Sequence, residues 1–190
     1  MQVYTSITNP EVIRLLSAGG LGVLPGDTVY GLFGQAKNAG TAARLYDAKR
    51  REGKPGTLIA ADIDQLAGLG LKKRYITPVA QYWPGAVSVI IPCGPELEYL
   101  HLGLQSLAVR IPDDEQLLAL LRRTGPLLSS SANLTGEPTA VNIGQAQEYF
   151  GDTVDFYVDG GELADRMPST IVRVVDDAIE VLRDGAVDIK

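Results

Sequence analysis

Four stretches of the chain carry side chains able to do chemistry. Lys49-Arg50-Arg51-Glu52-Gly53-Lys54-Pro55 sets four cations within six residues, where a helical pattern gives way to a Gly/Pro loop. Cations at a helix C-terminus complement its dipole and need no ligand. Carried on a Gly-rich loop, Lys49, Arg51 and Lys54 could instead close on an anion, Arg as a planar fork and Lys as a point charge for phosphate. Leu128-Ser129-Ser130-Ser131-Ala132-Asn133-Leu134-Thr135-Gly136 delivers three consecutive hydroxyls and an amide from an apolar strand into a loop. Such residues are ordinary loop formers, yet α/β folds also place ligands just beyond the carboxyl ends of strands. Pro25-Gly26-Asp27-Thr28-Val29-Tyr30-Gly31-Leu32 reads as a turn feeding a strand, or as a wall that a ligand approaches closely. Arg110 and Arg183 lie within apolar, β-rich runs; each faces a surface edge or has a partner, because an unpaired buried charge is costly.

Other chemistries are closed. No G-x-G-x-x-G follows a strand, Gly53-Lys54 lacks the glycine spacing and the Ser/Thr of a phosphate-binding loop, and Ser130 is flanked by serines rather than by a nucleophile elbow. A single cysteine, Cys93, rules out a disulfide framework and a Cys-rich zinc site, and a single histidine, His101, rules out His-pair metal motifs. Cys93 reads as an inert loop thiol, and His101 and Trp83 as packing residues.

The elements that must position these groups alternate along 190 residues, room for one domain over 1–190 with its core at about 10–185. Asn9-Pro10-Glu11 starts a helix that Gly19-Gly20 ends, and a strand follows over Leu21–Leu24. Further helices are expected from Asn38 to Lys49, from Asp62, near Pro78–Tyr82, from Asp113-Asp114 to Arg123, and over Ile143–Phe150. Strands are expected at 57–61, 87–91, 107–111, 127–129 and 154–158, with a closing hairpin of 170–175 and 179–183. Interleaved strands and helices with one terminal hairpin predict an α/β fold: a single domain with a mixed, twisted open sheet flanked by helices. The composition is globular, 45% hydrophobic and 21% charged, with a net charge of −6. That balance disfavours non-specific coating of nucleic acid. Nothing resembles a signal peptide or an apolar run of about 20 residues, so a cytoplasmic location without membrane contact is expected.

Taken in order, these segments resemble the YrdC/TsaC family of threonylcarbamoyl-AMP synthases. The family's P-T-x-T-V-Y-G-L, K-x-R, V-A-V-R, S-x-N, S-T-V and L-R-x-G motifs appear here as Pro25–Leu32, Lys49-Arg50-Arg51, Leu107–Arg110, Ser131-Ala132-Asn133, Ser169-Thr170-Ile171 and Leu182-Arg183-Asp184-Gly185, and Trp83-Pro84-Gly85 matches its W-P-G-P segment. The resemblance implies a concave basic cleft in a YrdC-like, single-domain fold. It implies condensation of L-threonine, bicarbonate and ATP to threonylcarbamoyl-AMP and pyrophosphate, the first step of threonylcarbamoyladenosine modification of tRNA. Thr28, Arg110, Ser129 and Ser169 would surround L-threonine. Arg51, Lys54, Ser106, Ser131, Thr139 and Arg183 would surround ATP, with Lys49, Arg51, Ser131 and Asn133 as the catalytic K-x-R and S-x-N set. Mg²⁺ would enter on the ATP phosphates with no side-chain ligand. The product would pass to a tRNA threonylcarbamoyl-transferase complex, and a weak tRNA contact is expected. Two departures stand out: Gly26 replaces the first Thr of P-T-x-T, and Leu58-Ile59-Ala60 lacks a His that some longer members use. The competing readings are a double-stranded RNA or tRNA-binding module of the same fold without turnover, and a carbamoyl-transfer paralogue like the domain of hydrogenase-maturation proteins.

Overall fold

The computed structural model describes residues 2–50, 53–176 and 178–189. In chain order the strands are β1 (Gln2–Tyr4), β2 (Leu21–Pro25), β3 (Tyr30–Gln35), β4 (Thr57–Ile59), β5 (Val87–Pro92), β6 (Ser106–Arg110), β7 (Leu127–Ser131), β8 (Phe156–Val158), β9 (Thr170–Val175) and β10 (Ala178–Arg183). The helices are α1 (Pro10–Ser17), α2 (Ala39–Ala48), α3 (Ile63–Leu69), α4 (Lys73–Ile76), α5 (Glu98–His101), α6 (Glu115–Thr124) and α7 (Ile143–Phe150). All ten strands form one mixed sheet in the order β1-β8-β2-β3-β7-β4-β6-β5-β9-β10. No helix among the described residues is long and apolar enough to cross a membrane.

The helices start where their capping chemistry places them. The Asn9 side chain accepts from the Glu11 N–H at 2.9 Å ahead of Pro10, and Asp114 accepts from the Leu117 N–H at 2.8 Å. Gly19 and Gly125, at φ 87° and 79°, take the left-handed backbone that stops α1 and α6. Helix α7 keeps its expected bounds, and β9–β10 form the expected antiparallel hairpin.

Several elements differ from the sequence reading, the unforeseen four-residue α4 among them. β1 and α5 were unforeseen, being only three and four residues long. β3 is the strand that the Pro25–Leu32 turn feeds, but its run to Gln35 was not marked out, because Gly31 and Gly34 break the alternation that marks a strand. The segment near Pro78–Tyr82 is a 3₁₀ turn over Thr77–Tyr82.

Strand periodicity then decides where a cleft can form. Leu32, Leu58, Leu128, Val109, Val89 and Val172 share one face and pack beneath α2, α5 and α7. On the opposite face α1 and α6 cover only part of the sheet, against Leu24, Phe33, Ile59, Leu127 and Phe156. Beyond that cover the same face carries Gly31 and Ser131 in register, then Ser129, Thr57 and Ala108 side by side. Small residues in a row leave a hollow where a helix would otherwise sit.

Candidate active site

That hollow is a cavity of about 270 Å³. Its walls are the turn between β2 and β3, the Pro55–Thr57 approach to β4, the cleft face of β6 and β7, and the β9–β10 hairpin. Among the residues expected at a site, Thr28, Ser106, Arg110, Ser129, Ser131, Ser169 and Arg183 all line it. They come from segments more than 150 residues apart in the chain, between Thr28 and Arg183.

Two hydrogen-bonded clusters hold the walls. The first begins at Arg110, whose side chain is 7% exposed. Its Nη2 donates to Asp27 Oδ1 at 2.9 Å and its Nη1 to Ser88 Oγ at 3.1 Å. Ser88 Oγ lies 2.9 Å from Ser169 Oγ, and Arg183 donates to the Ser169 carbonyl at 2.6 Å and to Ser169 Oγ at 3.0 Å. A bonded chain therefore runs from Asp27 to Arg183 along one side of the cavity. Gly185 makes its far end possible, since a Cβ there would lie 2.3 Å from the Pro168 carbonyl oxygen. Asp27 Oδ2 and Arg110 Nε have no hydrogen-bond partner among the described residues. Orphaned atoms on a buried ion pair mark a place that a ligand could complete.

The second cluster is built on Lys49, only 2% exposed at the end of α2. Its ammonium donates to the Ser131 carbonyl at 2.6 Å, the Asn133 carbonyl at 2.5 Å and Asn133 Oδ1 at 2.8 Å. Ser131 Oγ donates to the same Oδ1 at 2.6 Å, and Asn133 Nδ2 donates to the Leu134 and Glu137 carbonyls. Lys49 and Asn133 thus lie behind the cavity wall, bracing the turn that presents Ser131.

The remaining site candidates sit apart. Lys54 is exposed, one residue before the lining Pro55, and Thr139 is half-buried outside the lining. Arg51 lies outside the described residues. Of the five cations expected to make the cleft basic, Arg110 and Arg183 line it, and Arg110 is matched by Asp27. Tyr30, also in the wall, donates its hydroxyl to the Gly161 carbonyl and accepts from the Gly160 N–H, both at 2.8 Å, and burial raises its pKa. His101 is buried, its Nδ1 accepting from the Gly103 and Gln105 N–H groups. Trp83 packs against the core and donates its indole N–H to the Val87 carbonyl.

Sequence reasoning missed Asp27 and Ser88. The signal for Asp27 was present, because an Arg in an apolar strand demands a partner and Asp27 is the acid of the Pro25–Leu32 stretch. Ser88 carried none: it is one small hydroxyl between Val87 and Val89.

A ten-stranded mixed sheet, half covered on one face and bearing a donor-rich hollow on the rest, defines a particular class of α/β domain. The chain belongs to the Sua5/YciO/YrdC family, whose model, described as telomere recombination, matches residues 14–185. Threonylcarbamoyl-AMP synthase of Bacillus subtilis is 32% identical over 191 residues, covering 96% of this chain and 55% of its own length. Threonylcarbamoyl-AMP synthase of Idiomarina loihiensis is 32% identical over 176 residues, covering 88% of this chain and 92% of its own length. The structure of Pyrococcus abyssi Sua5 complexed with L-threonine superposes with a TM-score of 0.83 at 26% identity, covering 97% of this chain and 57% of that one. The chain thus spans little more than half the length of the B. subtilis and P. abyssi relatives.

Proposed function

We propose that this chain is an L-threonylcarbamoyladenylate synthase. The amine of L-threonine adds to bicarbonate, giving a carbamate and water; a carbamate oxygen then attacks the α-phosphorus of ATP, and pyrophosphate leaves. The observation that carries this reading is the convergence of Arg110, Ser169, Arg183, Ser129 and Ser131 on one cavity, in a fold shared with relatives that bear the synthase name.

The reaction creates no covalent enzyme intermediate, so the protein's task is to position two anions and spread their charge. Thr28, Arg110, Ser129 and Ser169 form the end assigned to the amino acid, with Arg110 held by Asp27. Ser106, Ser131 and Arg183 line the part assigned to the nucleotide, and Lys54, one residue from the lining Pro55, is assigned to it with Thr139 and Arg51 on the resemblance. Lys49 and Asn133 serve by fixing Ser131. The donors lining the cavity suit anions rather than a cation, so Mg²⁺ would be held by the triphosphate's own oxygens, where it would neutralise charge on the leaving pyrophosphate. The product is a mixed anhydride suited to transfer onto tRNA by a threonylcarbamoyl-transferase complex, a cytoplasmic task, with at most a weak tRNA contact by this chain.

The test is direct. Purified protein with ATP, Mg²⁺, bicarbonate and L-threonine should release pyrophosphate, and omission of bicarbonate or L-threonine should abolish the release. Salt-dependent RNA binding with no pyrophosphate release would replace this reading with the RNA-binding one.

A further inference from the structure

Ser88 is the second residue of β5, fully buried, and does not line the cavity. Its hydroxyl is nonetheless the only joint between the Arg110 half and the Arg183 half of the bonded chain among the described residues. A serine hydroxyl has one hydrogen and two lone pairs, and a guanidinium can only donate. Arg110 Nη1 therefore donates to Ser88 Oγ, and Arg183 Nη2 donates to Ser169 Oγ.

What remains is the direction of the 2.9 Å bond between the two serines. Were Ser169 the donor, the hydrogen of Ser88 would be left inside the sheet with no acceptor, an expensive arrangement in a fully buried position. With Ser88 donating, every group at Ser88 is met. The hydrogen left over is then that of Ser169, and Ser169 lines the cavity.

We infer that Ser88 is a positioning residue: it fixes the hydrogen-bond polarity of Ser169 so that this hydroxyl points a donor into the cavity, beside Arg110 with its unpartnered Nε. Both Arg110 and Ser169 line the cavity and offer it donors, whereas Asp27, the acceptor beside Arg110, does not line it, so this end favours a carboxylate, which accepts only, over a carboxamide, which must also donate. The inference deepens the reading of this end of the cleft as the amino-acid site and rests on it.

Calorimetric titration with L-threonine and with L-threoninamide separates the two. Wild type should bind L-threonine and discriminate against the amide. In Ser88→Ala the Ser169 hydroxyl is free to turn, so L-threonine should weaken by about tenfold, the value of one hydrogen bond to a charged group, while the amide changes little. Ser169→Ala should give the same loss, and the double variant no more than either alone. Should Ser88→Ala fail to fold, Ser88→Cys, with a weaker donor in nearly the same volume, should lower the discrimination in part. Equal weakening of both ligands, multiplying losses in the double variant, or wild-type discrimination in Ser88→Ala or Ser88→Cys would overturn the inference alone. Wild-type protein that binds no L-threonine would overturn the site reading and this inference with it.

Discussion

Asp27→Asn isolates the counter-charge of Arg110 in the cleft wall. The asparagine carbonyl can still accept from Arg110 Nη2, so the 2.9 Å hydrogen bond is retained and only the counter-charge is lost. Both side chains are nearly buried, 7% and 4% exposed, so solvent cannot replace the missing carboxylate. Leaving one member of such a pair buried alone costs about 3–5 kcal/mol. For a domain of this size each kcal/mol moves Tm by about 2–4 °C, so thermal unfolding followed by circular dichroism should show a fall of about 10 °C. Removing both charges, as in Asp27→Leu/Arg110→Met, should recover most of that stability, because a buried ion pair contributes little net over apolar packing. The double variant should nevertheless be inactive, since its guanidinium is gone. A loss below about 1 kcal/mol in Asp27→Asn would mean that Arg110 is solvated in the folded state, and the claim that Asp27 holds it for a ligand would fail.

Three further outcomes follow from local chemistry. Burial alone would raise the Asp155 pKa, but the bidentate Arg44 guanidinium and the Leu21 N–H at 2.7 Å hold it below its ordinary 3.8. The folded state thus releases this proton more readily, so the stabilisation is complete above pH 3.8 and is lost as pH falls through the folded value; the stability gap between wild type and Asp155→Asn should narrow in that acid range, as read by urea titration. The Cys93 thiol, pushed up to about 11 by burial with Glu96 adding to the effect, should react slowly with iodoacetamide at pH 8 and faster as pH approaches 11; rapid modification at neutral pH would contradict its burial. Gly185→Ala drives a methyl group into the Pro168–Thr170 backbone and should cost about 1–3 kcal/mol while weakening nucleotide use through Arg183, measured as a raised KM for ATP.

What could be read from the sequence was whatever is local. Asn9-Pro10-Glu11 and Asp114 announce helices through bonds to residues two or three positions on, and α7 keeps its expected bounds. The extent of β3 was not legible because its two glycines serve the third dimension: a Cβ on Gly34 would lie 2.4 Å from Thr41 Cγ2, and one on Gly31 2.9 Å from Phe33 Cε2. The same divide runs through the site. Arg110 advertised its need for a partner, yet that partner is 83 positions away, and only sheet order brings them together. The type of Lys49 was legible as a cation, but its direction was not: a pattern of charges at a helix end suits a solvent-facing anion clamp equally well.

Its inward direction explains why a lysine, rather than an arginine, suits that position. The ammonium is a compact point charge with three donors, and it meets three oxygens converging from the Ser131–Asn133 turn. A guanidinium would need a planar set of acceptors and more room than a site 2% exposed provides. Thr135 closes the arrangement by donating its hydroxyl to the Lys49 carbonyl at 3.0 Å, so the end of α2 and the turn after β7 are tied in both directions. Lys49 and the S-x-N motif, about 80 residues apart, are thereby one structural unit. Its lysine and asparagine spend their polarity on each other and on the backbone, and Ser131, bonded to the same asparagine oxygen, is held at the cavity wall as a fixed hydroxyl.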